Sequence, residues 1–314
     1  MTSISRQAHR YLVLYCYAVE EFGLHLLRLA LAGELQERWR LLRGAARLNC
    51  EEFGFTLSLR HEGRDYSVQV VPNVFEWTER VVQKDGELRK VVVPHLTALR
   101  LVIGTLETGM RAGLLRWLDR TMFDRSNQSE EEGNVCALFV NTDKTTPIHR
   151  PGPYTHRLRD LCGREVSFQM LFADFDGHRP VHRGNRIELI FPLFRAPASG
   201  RPINIRDCYH ACNALVVDFE VFYRQVTGDV HVKLCHFRPL VAPDGTPVVQ
   251  FTDDSERAAF CPISLLANDT SQSSRARFAA TRPSMGSLQL DEIARLLGHD
   301  GAISTSFYSR PANR

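Results

Sequence analysis

Apolar residues recur at helical spacing from the start of the chain. Over residues 7–48, Leu24, Leu27, Leu31 and Leu35 share one face, while Arg28, Glu34, Glu37, Arg38 and Arg40 take polar positions. That is the period of an amphipathic helix, and Gly33 predicts a division into two. At residue 53 the period changes to two. Phe53, Phe55, Leu57 and Leu59, a polar His61-Glu62-Gly63-Arg64 turn, and Tyr66, Val68 and Val70 predict a hairpin over 53–71. Pro72 ends it and Pro94 marks a second break. A helical pattern returns from Thr97 to Asp119 with an interruption near Gly109. Residues 124–133 are polar and read as a loop, followed by a strand over Val135–Val140. Between 150 and 260, Val166–Phe172, Ile187–Phe194 and Val230–Phe237 read as short strands, and 204–226 as a helix. Near the end, Leu290, Ile293, Ala294 and Leu297 form one face of a short helix stopped by Gly298.

Composition narrows the class. A chain of 314 residues with 44% apolar and 24% charged residues is long enough for about two domains and is not globally disordered. Its net charge of +3 does not by itself announce a nucleic-acid partner. The basic residues are biased, however: only Lys84, Lys90, Lys144 and Lys233 are lysines among 39. Arginine is the better bidentate ligand for phosphate. The eight cysteines are scattered without a Cys-x-x-Cys pair and read as reduced, buried thiols. Cys208 and Cys212, with His210 between them, read as core residues rather than metal ligands. The longest apolar run, Tyr11 to Val19, is too short to span a bilayer, and no signal-peptide pattern begins the chain. A soluble, cytoplasmic protein is expected.

The sharpest local pattern is Leu296-Leu297-Gly298-His299-Asp300-Gly301-Ala302-Ile303-Ser304-Thr305-Ser306-Phe307-Tyr308. A helix ends at glycine, a histidine follows directly, and a tyrosine lies nine residues on. This segment resembles the carboxy-terminal signature of the tyrosine recombinases, the phage-integrase family. The resemblance implies further landmarks. One is an arginine after a Thr-Gly-x turn between two helices, which Thr108-Gly109-Met110-Arg111 supplies. Leu114-Leu115-Arg116-Trp117-Leu118-Asp119 then resembles the family's Leu-x-Trp-x-Asp stretch. The acidic residue usual three positions after the arginine is Leu114 here. Another landmark is a hairpin lysine, matched by Lys144 in Val140-Asn141-Thr142-Asp143-Lys144-Thr145-Thr146-Pro147. A third is His-x-x-Arg. Here Arg275 takes the arginine position and Gln272 the histidine position, with Gly286 where the family's turn glycine belongs. Arg277 is the rival assignment. It would place Ser274 at the histidine position and shorten the run to His299. Gln272 can donate a hydrogen bond to phosphate but cannot exchange a proton as histidine does.

The order Arg111, Lys144, Arg275, His299, Tyr308 is that of the family, and the match covers roughly 95–150 and 262–312. The resemblance implies an α+β, mainly helical protein. A catalytic domain over 93–314 would carry a small antiparallel sheet and an insertion within 150–260. A divergent helical and hairpin DNA-binding region over 1–92 would precede it. Arg38, Arg40, Arg43 and Arg47 cluster there as a stripe for phosphates or as a solvated helix face, and Arg277 is a further DNA contact. The chemistry follows from the residue types. Arginines neutralise non-bridging oxygens and the charge that grows in the transition state. A tyrosine oxygen forms a covalent phosphoryl ester, and a lysine can protonate the leaving hydroxyl. No cofactor and no metal is implied. The partners implied are a double-stranded DNA attachment site and further copies of the chain, as a tetramer on DNA, in the bacterial cytoplasm with the nucleoid. A DNA-binding relative without catalysis and a type IB topoisomerase-like enzyme are the alternatives.

Overall fold

The computed structural model describes residues 6–61, 63–84, 86–108, 110, 112–124, 135–140, 150–182, 189–197, 199–229, 234, 236–237 and 263–264. Within them the fold mixes helices with small antiparallel sheets. Helix α1, Arg6–Ala32, buries Leu12, Tyr15, Cys16, Val19, Phe22, Leu26 and Ala30 along one side. Gly33, at φ +90°, ends it in a Schellman turn: its N–H donates to Ala30 O and that of Glu34 to Leu29 O, both at 3.0 Å. A run of turns then leads into α2, Trp39–Gly44.

Strand β1, Arg47–Asn49, continues into a single 3₁₀ turn at Cys50–Phe53. Phe53 and Phe55, expected as strand residues, instead pack their rings around Phe22 of α1. The expected hairpin forms just beyond, from β2, Leu57–His61, and β3, Arg64–Val68. Its turn holds Gly63 at φ +81°. Strand β4, Val70–Pro72, returns to pair with β1.

A second, longer hairpin follows: β5, Glu76–Lys84, and β6, Glu87–His95, in antiparallel register from Glu76↔His95 to Lys84↔Glu87. It carries Pro94, read above as a break, opposite Trp77. The domain division expected between residues 92 and 93 falls inside β6. There Val91, Val92 and Val93 are buried in one continuous core shared with α1 and α3.

Helix α3, Thr97–Thr108, is the centre of that core and is buried on nearly every side. It packs against α1, a short α4 (Ala112–Leu115), α5 (His156–Met170) and α6 (Ile205–Thr227). Strands β7, Val135–Val140, and β8, Arg150–Thr155, pair antiparallel before α5. The strand expected over Val166–Phe172 is corrected: residues to Met170 belong to α5. Leu158, Leu161, Cys162, Glu165, Phe168 and Gln169 are its buried face, a helical spacing too long to show in a seven-residue window. Of the run Ile187–Phe194, only Leu189–Ile190 is strand among the described residues, β10, paired with β9, Val181–His182. Likewise His236–Phe237, β11, pairs with Ile263–Ser264, β12. Helix α6 matches its expected span. Asn204 caps its start by accepting from Arg206 N–H at 3.0 Å, and Gly228 closes it at φ +69°. Cys208 is buried on α6, and burial pushes the Cys212 thiol up to about 12, so these are packed thiols.

Charge is also buried at the centre. Arg100 of α3, fully enclosed, donates from Nε to Glu20 and from Nη1 to Glu165, each at 2.8 Å. Arg164 closes on Glu20 at 2.8 Å from the half-exposed side. Gly104, one turn beyond Arg100, gives α4 its close approach. A Cβ there would stand 2.6 Å from Leu115 Cδ2. Gly104→Ala is therefore expected to destabilise the protein by about 1–3 kcal/mol in urea unfolding, although alanine is intrinsically the better helix former by about 1 kcal/mol.

Candidate functional site

The segment before Arg111 is built by side chains as well as backbone. Thr108 Oγ1 donates to Gly104 O at 2.7 Å and accepts from Met110 N–H at 3.0 Å, so the threonine turns the chain out of α3. Met110 and Ala112 on either side are buried. The break between α3 and α4 falls where the sequence places it. Leu114, standing at the family's acidic position, packs against the core as an aliphatic side chain. Asp119, at the end of the same segment, is buried. It accepts from Thr121 N–H at 2.8 Å and Thr121 Oγ1 at 2.6 Å, which makes it the organiser of the turn after α4. Backbone bonds from Arg120 N–H to Phe191 O and from Leu193 N–H to Leu118 O fasten that turn to the 191–193 segment.

Arg111 itself lies outside the described residues. So do Lys144, Gln272, Arg275, Arg277, His299 and Tyr308, together with the helix expected over 290–297. The pair β7–β8 flanks the connection 141–149 that contains Lys144.

The four amino-terminal arginines are exposed but do not form a stripe on one helix. Arg38 lies in the turn before α2, pairs with Glu52 at 3.1 Å and sits over the Phe53 ring. Arg40 and Arg43 belong to α2, and Arg40 lies over Trp39. Arg47 is on β1 and pairs with Asp218 of α6, which also accepts from Tyr15 Oη. Two of the four cations are thus already matched to carboxylates, and the helix-face expectation is corrected to a mixed surface of turn, helix and strand.

A second polar constellation was not legible in the sequence. Arg80 of β5, His95 of β6, Arg120, His178 and Arg195 meet around one small cavity and its mouth. Arg195 is 5% exposed and rests both terminal nitrogens against the His178 ring. Arg120 Nη1 reaches His178 Nδ1 at 3.4 Å, passing over the rings of Phe175 and Phe191. His178 Nε2 faces Asp174 Oδ2 at 3.2 Å, and Arg80 donates to Asp174 Oδ1 at 2.7 Å while stacking over Phe172. Burial and the Arg195 charge push the His178 pKa down, so the ring is neutral. Its Nε2–H donates to Asp174 and its Nδ1 accepts from the guanidinium side. Burial first, and then the neighbouring Arg120 and Arg80 charges, lower Arg195 to about 10. Asp174 resists its own burial because Arg80 and His178 hold it below the ordinary carboxylate range.

His95 connects this cavity to the buried ion network. Thr97 Oγ1 donates to Glu165 at 2.7 Å, so its oxygen must accept from His95 Nδ1–H at 3.1 Å. Burial, reinforced by Arg80, Arg100 and Arg195, lowers the His95 pKa to about 3. An unfolded histidine titrates near 6.5, so between those values the unfolded chain binds more protons. Stability is then complete above pH 6.5 and falls as pH drops toward 3. His95→Phe removes that dependence. The wild type should lose about 2 kcal/mol more than this variant between pH 7 and pH 5 in urea unfolding.

Burial pushes the thiols of Cys16, Cys50 and Cys208 up, so none is a ready nucleophile. Among the described residues no group of three His, Cys, Asp or Glu is placed to hold a metal, and no helix is long and apolar enough to cross a membrane. Comparison with known proteins finds no matching family model, no matching curated protein and no matching solved structure.

Proposed function

We propose that the chain is a site-specific DNA strand-transfer enzyme of the tyrosine-recombinase type. The observation that carries the reading is the run Leu297-Gly298-His299 to Tyr308, preceded in order by Arg111, Lys144 and Arg275. Two features of the fold support it: the α3–α4 break at Thr108–Met110 and the antiparallel pair flanking Lys144. In this reading the Tyr308 hydroxyl oxygen attacks the scissile phosphorus. A 3′-phosphotyrosyl bond forms, the bond to the 5′ oxygen breaks, and that oxygen takes a proton from Lys144. Arg111 and Arg275 hold the non-bridging oxygens, Gln272 donates to the phosphate, and His299 takes the proton that the Tyr308 hydroxyl loses. Reversal of the step by a 5′-hydroxyl from a partner strand reseals the DNA without ATP, because the ester keeps the energy of the bond it replaced. Synapsis would bring a tetramer together on two attachment sites.

The reading is tested with a nicked duplex selected for binding from a random-sequence pool, in which the cleaved fragment diffuses away. A denaturation-resistant protein–DNA band is the expected product. A second reading, DNA binding without cleavage, is favoured by two specific residues. Leu114 packs as an aliphatic at the acidic position, and Gln272 stands at the histidine position. Tight, salt-dependent binding with no covalent band selects it.

A further inference from the structure

The Arg80–Arg195 cavity does not depend on the strand-transfer reading, and its chemistry points elsewhere. It opens onto a cleft of about 270 Å³ lined by Thr78, Glu79, Arg80, Val81, Asp174 and Pro197. Arg80 and Pro197 belong to both cleft and cavity, so the two adjoin. The cationic wall is fixed and hidden: the side chain of Arg80 is 9% exposed, and Arg195 behind it is buried. The acid that answers them is not. Asp174 is 55% exposed at its side chain and lies at the mouth of the cleft. Glu79, the other acid there, is paired with Lys90 at 3.3 Å. Asp119 and Asp176 offset part of the charge of Arg120. Two buried donors, Arg195 Nε and Thr78 Oγ1, have no acceptor among the described residues. An unpaired buried donor is costly; Thr78 lines the cleft and Arg195 lines the cavity beside it.

We propose that this cleft binds the phosphoryl group of a small phosphomonoester, and that the Asp174 carboxylate occupies the anion's place until the ligand displaces it. A tetrahedral anion has enough oxygens to satisfy Arg80, Thr78 and Arg195 together, where a planar carboxylate reaches only Arg80 and His178. Guanidinium groups are the side chains best matched to phosphate in a buried setting. Like-charge crowding among Arg80, Arg120 and Arg195 is relieved by a dianion more fully than by one carboxylate. The volume lies just below the roughly 300–1,000 Å³ of sites for drug-sized ligands. It admits a phosphate with a short organic stem and not a duplex.

The test is thermal unfolding of the full chain titrated with inorganic phosphate, with glycerol 3-phosphate, and with sodium chloride at matched ionic strength. Either phosphate should raise the Tm saturably where chloride does not, and the tighter of the two identifies free phosphate or the ester as the ligand. Asp174→Asn keeps the shape of the acid but removes its charge, and should tighten binding about tenfold. Thr78→Val should weaken it about fivefold with the Tm of the unliganded protein little changed. No saturable shift in Asp174→Asn at 10 mM of either phosphate overturns the proposal. An equal shift with chloride overturns it as well. So does an Asp174→Asn variant that gains affinity for duplex DNA while binding neither phosphate, since the cleft would then be reading a nucleic-acid backbone.

Discussion

Tyr308→Phe should abolish the covalent protein–DNA product while leaving binding to the same duplex within about twofold. The substitution removes one oxygen, the atom that attacks phosphorus in the proposed reaction, and leaves the ring in place. Loss of a nucleophile that acts in concert with other groups lowers turnover by on the order of 10⁴-fold or more. The salt dependence of binding should be the same in both proteins, because phosphate contacts from arginine and lysine carry it and Tyr308 carries none. Lys144→Ala should behave differently. It keeps the proposed nucleophile and removes the proposed proton donor to the leaving oxygen, so the covalent product should form slowly rather than not at all, by about 10²–10⁴-fold. A gel-shift titration run beside the denaturing gel separates binding from cleavage in each case.

The largest expected effect on stability is at Arg100. Arg100→Met should destabilise the chain by about 3–5 kcal/mol, because it leaves Glu20 and Glu165 as buried carboxylates without their shared cation. The two are not equally exposed to the loss. Glu20 keeps Arg164 at 2.8 Å. Glu165 keeps only the neutral donors Thr97 and Gln169 among its described partners. The deficit should therefore shrink when Glu165→Gln is added to Arg100→Met, giving a coupling visible in a double-mutant cycle. It should also shrink as pH falls toward the carboxyl range. In the variant, protonation of an uncompensated buried carboxylate removes the charge that burial penalises. Urea unfolding at pH 7 and pH 5 measures both effects.

Much of the helical framework was legible because it is periodic and punctuated by glycine. The end of α1 at Gly33, the break after Thr108 and the span of α6 each follow from a local pattern. The β2–β3 hairpin was legible from alternation around Gly63. The β5–β6 hairpin was not, although Asp85-Gly86 is a strong hairpin dipeptide and Gly86 adopts φ +80°. Pro94 reads as a break in the sequence although it lies within β6. Residues 166–170 read as a strand because Val166, Phe168 and Met170 alternate over a short stretch, while the buried face of α5 shows only when Leu158, Leu161 and Glu165 are included.

The two sites differ in the same way. The proposed strand-transfer residues come from short motifs whose order is readable along the chain. The arginine–histidine cavity draws Arg80, His95, Arg120, His178 and Arg195 from segments up to 115 residues apart with no shared spacing. Hairpin, α4 turn and the loop closed by the Arg195–Pro202 bridge must all be in place before these charges meet. No linear pattern encodes that meeting, and the surviving clue is only the preference for arginine over lysine.

The measurement that bears most directly on the central claim is peptide mapping of the covalent product. The protein–DNA adduct is trapped on the nicked duplex, digested with protease and nuclease, and the modified peptide is sequenced by mass spectrometry. The account predicts one nucleotide-bearing peptide with the phosphodiester on the oxygen of Tyr308, joined to a 3′ end. An adduct on any other residue, a 5′ linkage, or no adduct on a duplex the protein binds tightly would contradict it.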